Sequence, residues 1–194
     1  PLPAGISDTG QATISDLNRG TPDSPSAGSD VPVLTVGDAG TVAEGQPARF
    51  DIALSKPVDA ATTLTFTLRH GSTDADDIGT PTVTIAGQSV AVTVNADGSY
   101  SVPVAAGTTG GIVVSVPTVD DAVFEGNETF ALEGTLSGST ASGTPLPAGI
   151  SDTGQATISD LNRGTPDSPS AGSDVPVLTV GDAGTVAEGQ PARF

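Results

Sequence analysis

The chain has 194 residues, of which 23 are acidic and 6 are Lys or Arg, so its formal net charge at pH 7 is -17. This charge excludes nucleic acid and an anionic membrane surface as electrostatic partners, because Lys and Arg bind phosphate, and it favours cations. Cysteine is absent, which excludes disulfides, thiolate metal sites and a cysteine nucleophile, and no apolar run reaches the roughly 18 residues that would insert into a membrane as a helix.

A long internal repeat organises the sequence. Residues 1–50 recur without a change as residues 145–194, at an offset of 144 residues. Solenoid and propeller units have periods of roughly 20 to 50 residues, so each repeat is expected to be a domain with its own core. Adjacent identical repeats are therefore the expected neighbours within one chain.

Strand patterns follow one another along the repeat. Short alternating runs of β-branched residues, bounded by Gly, Pro, Asn and Asp, are typical of strands, and helical periodicity is absent. In chain order the predicted strands are 33–36, 41–43, 48–54, 62–68, 82–85, 89–94, 100–104, 112–117, 128–136 and 155–159. Short strands at this spacing predict an all-β, immunoglobulin-like antiparallel β-sandwich.

Three of these strands have the clearest inward faces, because side chains two apart lie on the same side of a strand. We expect them to form much of the core. The faces are Phe50, Ile52 and Leu54; Leu64, Phe66 and Leu68; and Val90, Val92 and Val94. The tripeptide Ala96-Asp97-Gly98 is a turn signal and predicts that residues 89–104 form one hairpin.

Polar stretches that contain proline mark the domain boundaries. Residues 162–174 hold two prolines and no apolar period, which is typical of a linker, and residues 18–30 are the earlier copy. The predicted division is 1–17 as the last strand of a preceding repeat, 18–30 as a linker, 31–161 as the complete module, 162–174 as a linker and 175–194 as the opening strands of a following repeat. The chain thus has two copies of the last strand, 11–15 and 155–159, for one position in the sandwich. We expect the copies at the two ends of the chain to be disordered, exchanged between molecules, or paired within a longer array.

Carboxylates are concentrated where one predicted strand ends and the next begins. Within the nine residues 120–128 the chain carries four of them, and crowded like charges repel one another unless a cation neutralises them. Ca²⁺ takes about six to eight oxygen ligands, and loops at one end of a sandwich come together, so Glu44, the loop acids Asp74, Asp76 and Asp77, and Asp160 are expected to join. The predicted Ca²⁺ ligands are Glu44, Asp76, Asp77, Asp120, Asp121, Glu125, Glu128 and Asp160.

Two alternatives concern the acidic residues. The loop carboxylates could simply be solvated and keep a long surface protein soluble. A calcium ion could also lie between modules, held by acids in and beside the linkers. Those acids are Asp23, Asp30, Asp38, Asp167, Asp174 and Asp182.

Three motifs resemble those of the Calx-β modules. They are Val42-Ala-Glu-Gly45, the loop 72–80, and Asp120-Asp-Ala-Val-Phe-Glu-Gly-Asn-Glu-Thr-Phe130. The resemblance covers residues 33–160 and implies a β-sandwich that binds calcium. The ligands it implies are the side chains of Glu44, Asp120, Asp121, Glu125, Glu128 and Asp160, with the Val123 carbonyl.

The acidic, cysteine-free and tandemly repeated sequence is similar in kind to the extender regions of giant RTX adhesins. That resemblance implies type I secretion, tethering at the bacterial outer membrane, and calcium that completes folding outside the cell. There the extender carries a distal ligand-binding region away from the cell for attachment and biofilm formation. A calcium-stiffened structural spacer is therefore the first functional hypothesis.

Other functional classes are less well supported by the sequence. Identical repeats could bind a glycan or a protein multivalently, but tryptophan is absent and there is one tyrosine, and these residues anchor most such interfaces. A calcium-responsive sensor would need a partner domain that changes state. We do not expect an enzyme, because His70, the only histidine, has no triad context, and paired carboxylates would need an aromatic-lined cleft to act on a sugar.

Overall fold

A computed structural model describes residues 10–12, 30–121, 123–160 and 176–194. The predicted linker 162–174, almost all of 18–30, and most of the predicted strand copy 11–15 lie outside the described residues. Within the described ranges all regular secondary structure is β, which confirms the predicted fold class.

Eleven strands are found in these ranges. They are β1 (Leu34–Val36), β2 (Gly40–Ala43), β3 (Ala48–Leu54), β4 (Thr62–His70), β5 (Thr82–Ile85), β6 (Gln88–Val90), β7 (Thr93–Val94), β8 (Tyr100–Val104), β9 (Ile112–Val116), β10 (Asn127–Gly138) and β11 (Ser151–Ser159). The bounds of β3, β5 and β8 are those predicted from the sequence, whereas β4, β10 and β11 are longer than predicted.

The strands form two sheets that pack as a sandwich. The first sheet has the order β1-β3-β9-β5-β6 and the second the order β2-β11-β10-β4-β8-β7. All pairings between these strands are antiparallel except one, because β2 runs parallel to β11. The predicted immunoglobulin-like sandwich is thus confirmed, but its second sheet has a parallel pair at one edge that the sequence prediction did not include.

The core lies between the two sheets and follows from the alternation of side chains. On β3 every second residue is buried, so Phe50, Ile52 and Leu54 all face inward as predicted. The ring of Phe50 contacts the ring of Phe130, from the opposite sheet, in an edge-to-face arrangement with centroids 5.8 Å apart. Aromatic rings favour this geometry.

The prediction of a single strand at 89–94 is wrong. β6 belongs to the first sheet and β7 to the second, so the hairpin around Ala96-Asp97-Gly98 joins only β7 to β8. Val94, which was expected in the core, is 63% exposed. Apolar alternation continues through residues 91–92 while the backbone crosses between sheets, and periodicity alone does not reveal such a crossing.

The chain enters and leaves the sandwich at opposite ends. The first residue of β1 pairs with the last residue of β3, so the chain enters where β3 ends. The last residue of β11 pairs with the last residue of β2, and β2 leads through a short turn into the start of β3. The exit therefore lies where β3 begins.

Residues 176–194, the second copy of the opening strands, contain no strand, and their large apolar side chains are exposed. No helix capable of spanning a membrane is found in the parts of the chain that the structure describes.

A first prediction concerns Gly154 on β11, where the two sheets approach closely. A Cβ atom at this position would lie 2.5 Å from the carbonyl oxygen of Gly37 and 3.0 Å from the ring of Phe50. We expect Gly154→Ala to lower the free energy of unfolding by about 1 to 3 kcal/mol, because the backbone must shift to remove the overlap. Urea unfolding measures this. Gly110→Ala is the control, since no neighbouring atom lies within 4 Å of its Cβ position, and equal losses in both variants would contradict the packing argument.

Candidate metal centre

Four segments converge at the end of the sandwich where the chain exits. The first residue of β10 pairs with the last residue of β11, which also pairs with the last residue of β2. β4 ends beside the start of β10. The turn 44–47, the loops 71–81 and 117–126, and Asp160 therefore lie together, and we call this region the acidic end.

Three acidic residues at the acidic end are buried. Glu128 lies on β10 in the same row as Phe130, since residues two apart share a face of a strand, whereas Glu44 and Asp160 follow directly after the ends of β2 and β11. Their exposed fractions are 8% for Glu128, 6% for Glu44 and 1% for Asp160. The alternation that builds the core thus also places the Glu128 carboxylate at the mouth of the sandwich, where burial disfavours its charged form.

Asp160 is held by the backbone of the loop that precedes β10. Its Oδ2 accepts hydrogen bonds from the N–H groups of Glu125 and Gly126, both at 2.6 Å. Gly126 has a φ of 81°, a conformation that glycine adopts without strain. Two bonds to a charged oxygen satisfy the buried carboxylate and fix this loop against the end of β11.

Thr129 anchors the loop 71–81 to β10. Its carbonyl accepts hydrogen bonds from the N–H groups of Gly71, Ser72 and Thr73 at 2.9, 3.1 and 3.4 Å, and its own N–H donates to Ser72 Oγ at 2.9 Å. A side chain at Gly71 would collide with Thr129, since a Cβ there would lie 2.5 Å from Thr129 Oγ1. Sequence reasoning missed this anchor, because a Gly-Ser-Thr run after a strand is too common to mark one.

Asp77 reaches the acidic end from the anchored loop. Its carboxylate accepts a hydrogen bond from the Asp74 N–H, and its carbonyl accepts one from the Val119 N–H at 2.9 Å. The two loops of the acidic end are thereby joined through their backbones.

Asp77, Glu125 and Glu128 form the centre of the site. Each offers a carboxylate oxygen, and the three oxygens lie within 4.8 Å of one another. Asp77 is half-buried, Glu125 is exposed and Glu128 is buried, so one side of the group opens to solvent. This group of oxygen donors could hold a metal ion, and we call it the carboxylate triad.

The carboxylate triad is electrostatically strained. The pKa of Glu128 is raised to about 7, first by burial and then by the charge of Asp77, a hydrogen bond to Asp77, and the charges of Glu125 and Asp160. The pKa of Glu125 is raised too, first by loss of solvation and then by the charge of Asp77. A proton on Glu128 relieves part of this repulsion, and a bound cation would instead favour the charged form of every member.

The other predicted ligands lie at the acidic end in different roles. Asp120 packs against the turn 44–47, since a Cβ on Gly45 would lie 3.1 Å from the Asp120 Cβ. Asp121 Oδ1 accepts a hydrogen bond from the Val123 N–H at 2.7 Å, which shapes its own loop. Of the predicted ligands, the structure brings Asp77, Glu125 and Glu128 together. Asp160 and Glu44 are buried at the same end of the sandwich. The remaining three, Asp76, Asp120 and Asp121, are exposed and lie outside the triad.

The structure describes two acidic residues in or beside the first linker, and both have partners within the sandwich. Asp30 forms an ion pair with Lys56 at 2.8 Å, and Asp38 Oδ1 accepts a hydrogen bond from the Gln155 N–H at 2.8 Å. Asp182 is exposed. Asp23, Asp167 and Asp174 lie outside the described residues.

His70 supports the loop 71–81. Its Nδ1 lies 3.0 Å from Thr73 Oγ1, and its ring lines a cavity of about 310 Å³ together with Leu68, Ile78 and Tyr100.

No protein-family model matches the chain, and no curated protein matches it in sequence. Among solved structures it is similar to the sixth cohesin of scaffoldin B from Acetivibrio cellulolyticus, which was solved in complex with a mutant Cel5 dockerin. The two sequences are 15% identical, the match covers 66% of this chain and 98% of that chain, and the TM-score is 0.42. It is also similar to a non-cellulosomal cohesin from the archaeon Archaeoglobus fulgidus, with 12% identity, 66% and 91% covered, and a TM-score of 0.39. A likeness at this level concerns the β-sandwich alone and assigns no function.

A second prediction concerns the pH dependence of stability in the presence of a chelator. The pKa of Glu128 rises from 4.5 to about 7 on folding, so the folded chain binds more protons than the unfolded chain between these values. The stabilising contribution is complete below the lower value and is lost as the pH rises through the upper one. A shift of this size corresponds to about 3 kcal/mol, and because solvent screens the partly exposed carboxylate triad, we expect a loss of about 1 to 2 kcal/mol in urea unfolding across this range.

Glu128→Gln isolates this contribution, because it removes the titrating group and leaves the other carboxylates in place. The stability of the variant should fall less steeply with rising pH than that of the unmodified chain. Parallel pH profiles for the two proteins would show that Glu128 does not titrate as the geometry requires.

Proposed function

We propose that residues 31–161 are one module of a tandem repeat and that the module is a spacer in a long extracellular protein. The observation that carries this proposal is the entry and exit of the chain at opposite ends of the sandwich. Modules joined by linkers such as 162–174 then follow one another end to end, and the length of the protein grows with their number.

The longest strand gives the scale of one module. β10 has 12 residues, and a rise of about 3.3 Å per residue makes it about 40 Å long. Each additional module should therefore add at least this length, with the linker in addition.

We propose that calcium is the metal of the acidic end. The triad offers only carboxylate oxygens, which are the hard ligands that Ca²⁺ prefers. Three residues do not complete a shell of about six to eight oxygens, and further oxygens are available at the same end from Glu44, Asp120, Asp121, Asp160 and the Val123 carbonyl. Burial and, after it, repulsion raise the pKa of Glu128 and Glu125, and a bound ion would neutralise that repulsion.

The position of the acidic end explains how calcium would stiffen the protein. Asp77 belongs to one loop and Glu125 to another, and Asp160 ties the second loop to the end of β11. A cation between the loops fixes the end of the module from which the next linker leaves. Fewer orientations of that linker mean a stiffer string of modules.

The proposed setting is the bacterial cell surface. The acidic composition and the likeness in kind to RTX extender regions both favour a chain that folds where calcium is plentiful. Extracellular calcium modules are tuned to dissociation constants of about 0.1 to 1 mM, which suits a structural ion that is saturated outside the cell. In this setting the repeat holds a distal binding region away from the surface for attachment and biofilm formation.

A third prediction tests the metal and its ligands. Isothermal titration of the chain with Ca²⁺ should show binding, and Glu128→Gln should weaken it at least about tenfold, because a buried charged ligand is lost. Asp51→Asn is the matched control, since it removes one charge from an exposed position on β3 and should leave the affinity unchanged. Equal affinities for both variants would place the site elsewhere.

A fourth prediction tests the spacer. Small-angle X-ray scattering of arrays of two and four repeats should give maximum dimensions that increase by at least about 40 Å for each added module. Calcium should increase the dimension of the longer array relative to chelator, because linker orientations become restricted. Compact arrays would contradict the spacer role, and extended arrays of unchanged shape would contradict only the stiffening by calcium.

A further inference from the structure

The chain contains one histidine and one tyrosine, and both side chains line the same cavity. The cavity has a volume of about 310 Å³, which falls within the range of about 300 to 1,000 Å³ that is typical of small-molecule sites. No member of the carboxylate triad lines it. It is therefore a second candidate site, separate from the proposed calcium site.

The cavity forms where inward-facing rows of the second sheet reach their ends. On β4 the row that holds the buried Phe66 continues to Leu68 and His70, because residues two apart share a face of a strand. On β8 Tyr100 is the first residue of the buried row. The other lining residues come from the loop 71–81 and from the turn between β7 and β8, so these rows end in a cleft that a loop covers instead of a strand.

The aromatic wall of the cavity is held in place from behind. The ring of Tyr100 stacks on the ring of Phe66, with centroids 5.3 Å apart and an angle of 19° between the planes. Phe66 is fully buried and Tyr100 is half-buried. A ligand that packs against Tyr100 therefore does not have to order this ring first, which lowers the entropic cost of binding.

Three polar side chains of the cavity have hydrogen-bonding capacity to spare. His70 Nδ1 lies 3.0 Å from Thr73 Oγ1, which leaves the other ring nitrogen. In the part of the chain that the structure describes, that nitrogen and the hydroxyls of Tyr100 and Thr80 bond to no other residue. The cavity thus combines apolar walls with hydrogen-bonding groups.

This combination restricts the chemistry of a ligand. A purely apolar molecule would displace water from the polar side chains without replacing its hydrogen bonds, which is costly. An anion would be repelled by the net charge of -17 and by Asp74 and Asp76, two exposed residues of the same loop. A neutral sugar ring avoids both costs, since it has apolar C–H groups and several hydroxyls.

We propose that the cavity binds one neutral pyranose ring. Leu68, Ile78 and Tyr100 contact the C–H groups of the sugar, and His70 and Thr80 form hydrogen bonds with its hydroxyls. The single tyrosine of the chain, too few to indicate glycan binding from composition, thus lies where a sugar can use it. This site depends neither on calcium nor on the spacer role.

A site of this size binds weakly, and the repeats compensate for that. About 12 non-hydrogen atoms in a half-open cavity correspond to a dissociation constant of about 1 to 10 mM. Each repeat carries the same cavity, because the repeats are identical where the chain shows them twice. Several modules on one chain would bind a glycan-coated surface more tightly than one module binds a free sugar.

The intrinsic fluorescence of the full chain tests this proposal. Because Tyr100 is the only tyrosine and tryptophan is absent, this signal comes from the wall of the cavity. Glucose, galactose, mannose and N-acetylglucosamine are titrated in the presence of a chelator, and at least one should give a saturable change in the range of about 1 to 10 mM. Glucuronic acid should bind at least about tenfold more weakly than glucose or not at all. No saturable change with any neutral sugar would overturn the proposal, and so would equal binding of glucuronic acid.

Two variants at exposed positions locate the site. Ala75→Leu extends a side chain into the cavity and should abolish the saturable change, whereas Thr80→Val removes a hydroxyl and should weaken binding by about threefold to tenfold. Thr41→Val is the matched control, because Thr41 is exposed on β2 at the other edge of the second sheet, and it should bind like the unmodified chain. An unchanged urea midpoint shows that each variant is folded. Binding by Ala75→Leu with unchanged affinity would place the sugar elsewhere and overturn the proposal.

Arrays of one, two and four repeats identify the source of the sugar. They are passed over a surface that carries the monosaccharide selected by the titration. Retention that grows at least about tenfold with the number of repeats identifies a surface glycan as the ligand. Retention that does not grow identifies the free sugar, and loss of all retention in Ala75→Leu arrays supports the cavity in either case.

Discussion

The period-two alternation of side chains along the strands is the constraint on which both the core and the acidic end depend. On β10 it places Phe130 against Phe50 in the core, and by the same step it turns Glu128 inward at the mouth of the sandwich. Asp160 and Glu44 follow directly after the ends of β11 and β2 and are buried at the same end. The acidic end is thus built where the buried row of β10 reaches the mouth of the sandwich.

Burial and repulsion make this end of the module dependent on its surroundings. Asp160 compensates for its own burial with two backbone hydrogen bonds, whereas the pKa of Glu128 is raised to about 7. A proton or a cation can satisfy the same group of oxygens, but only a cation also neutralises Asp77 and Glu125. In the proposed spacer, a cation bound there would link the ionic conditions around the protein to the rigidity of the loops at the exit of the chain.

Most of the fold could be predicted from the sequence, because in short strands with one buried face apolar and polar residues alternate. β3 illustrates this, since its bounds and its inward residues are as predicted. The division of 89–94 into β6 and β7 could not be predicted from the sequence, because alternation shows which way side chains face and does not show to which sheet the strand belongs. At the acidic end, the architecture predicted that the loops meet, but the sequence did not distinguish Asp77 from Asp76 as a member of the carboxylate triad. That distinction depends on the backbone anchor at Thr129. The anchor uses main-chain groups that every residue possesses, so it leaves no signal in the sequence.

Identical repeats have a structural consequence that divergent repeats avoid. Where neighbouring modules differ in sequence, the opening strands of one fit the next module poorly, and this mismatch protects the correct pairing. Here residues 175–187 repeat residues 31–43 without a change, so the sequence of the opening strands does not distinguish one module from its neighbour. The distinction depends on chain length instead, because the four-residue turn 44–47 joins β2 directly to β3 and closes more favourably than a connection through the longer linker.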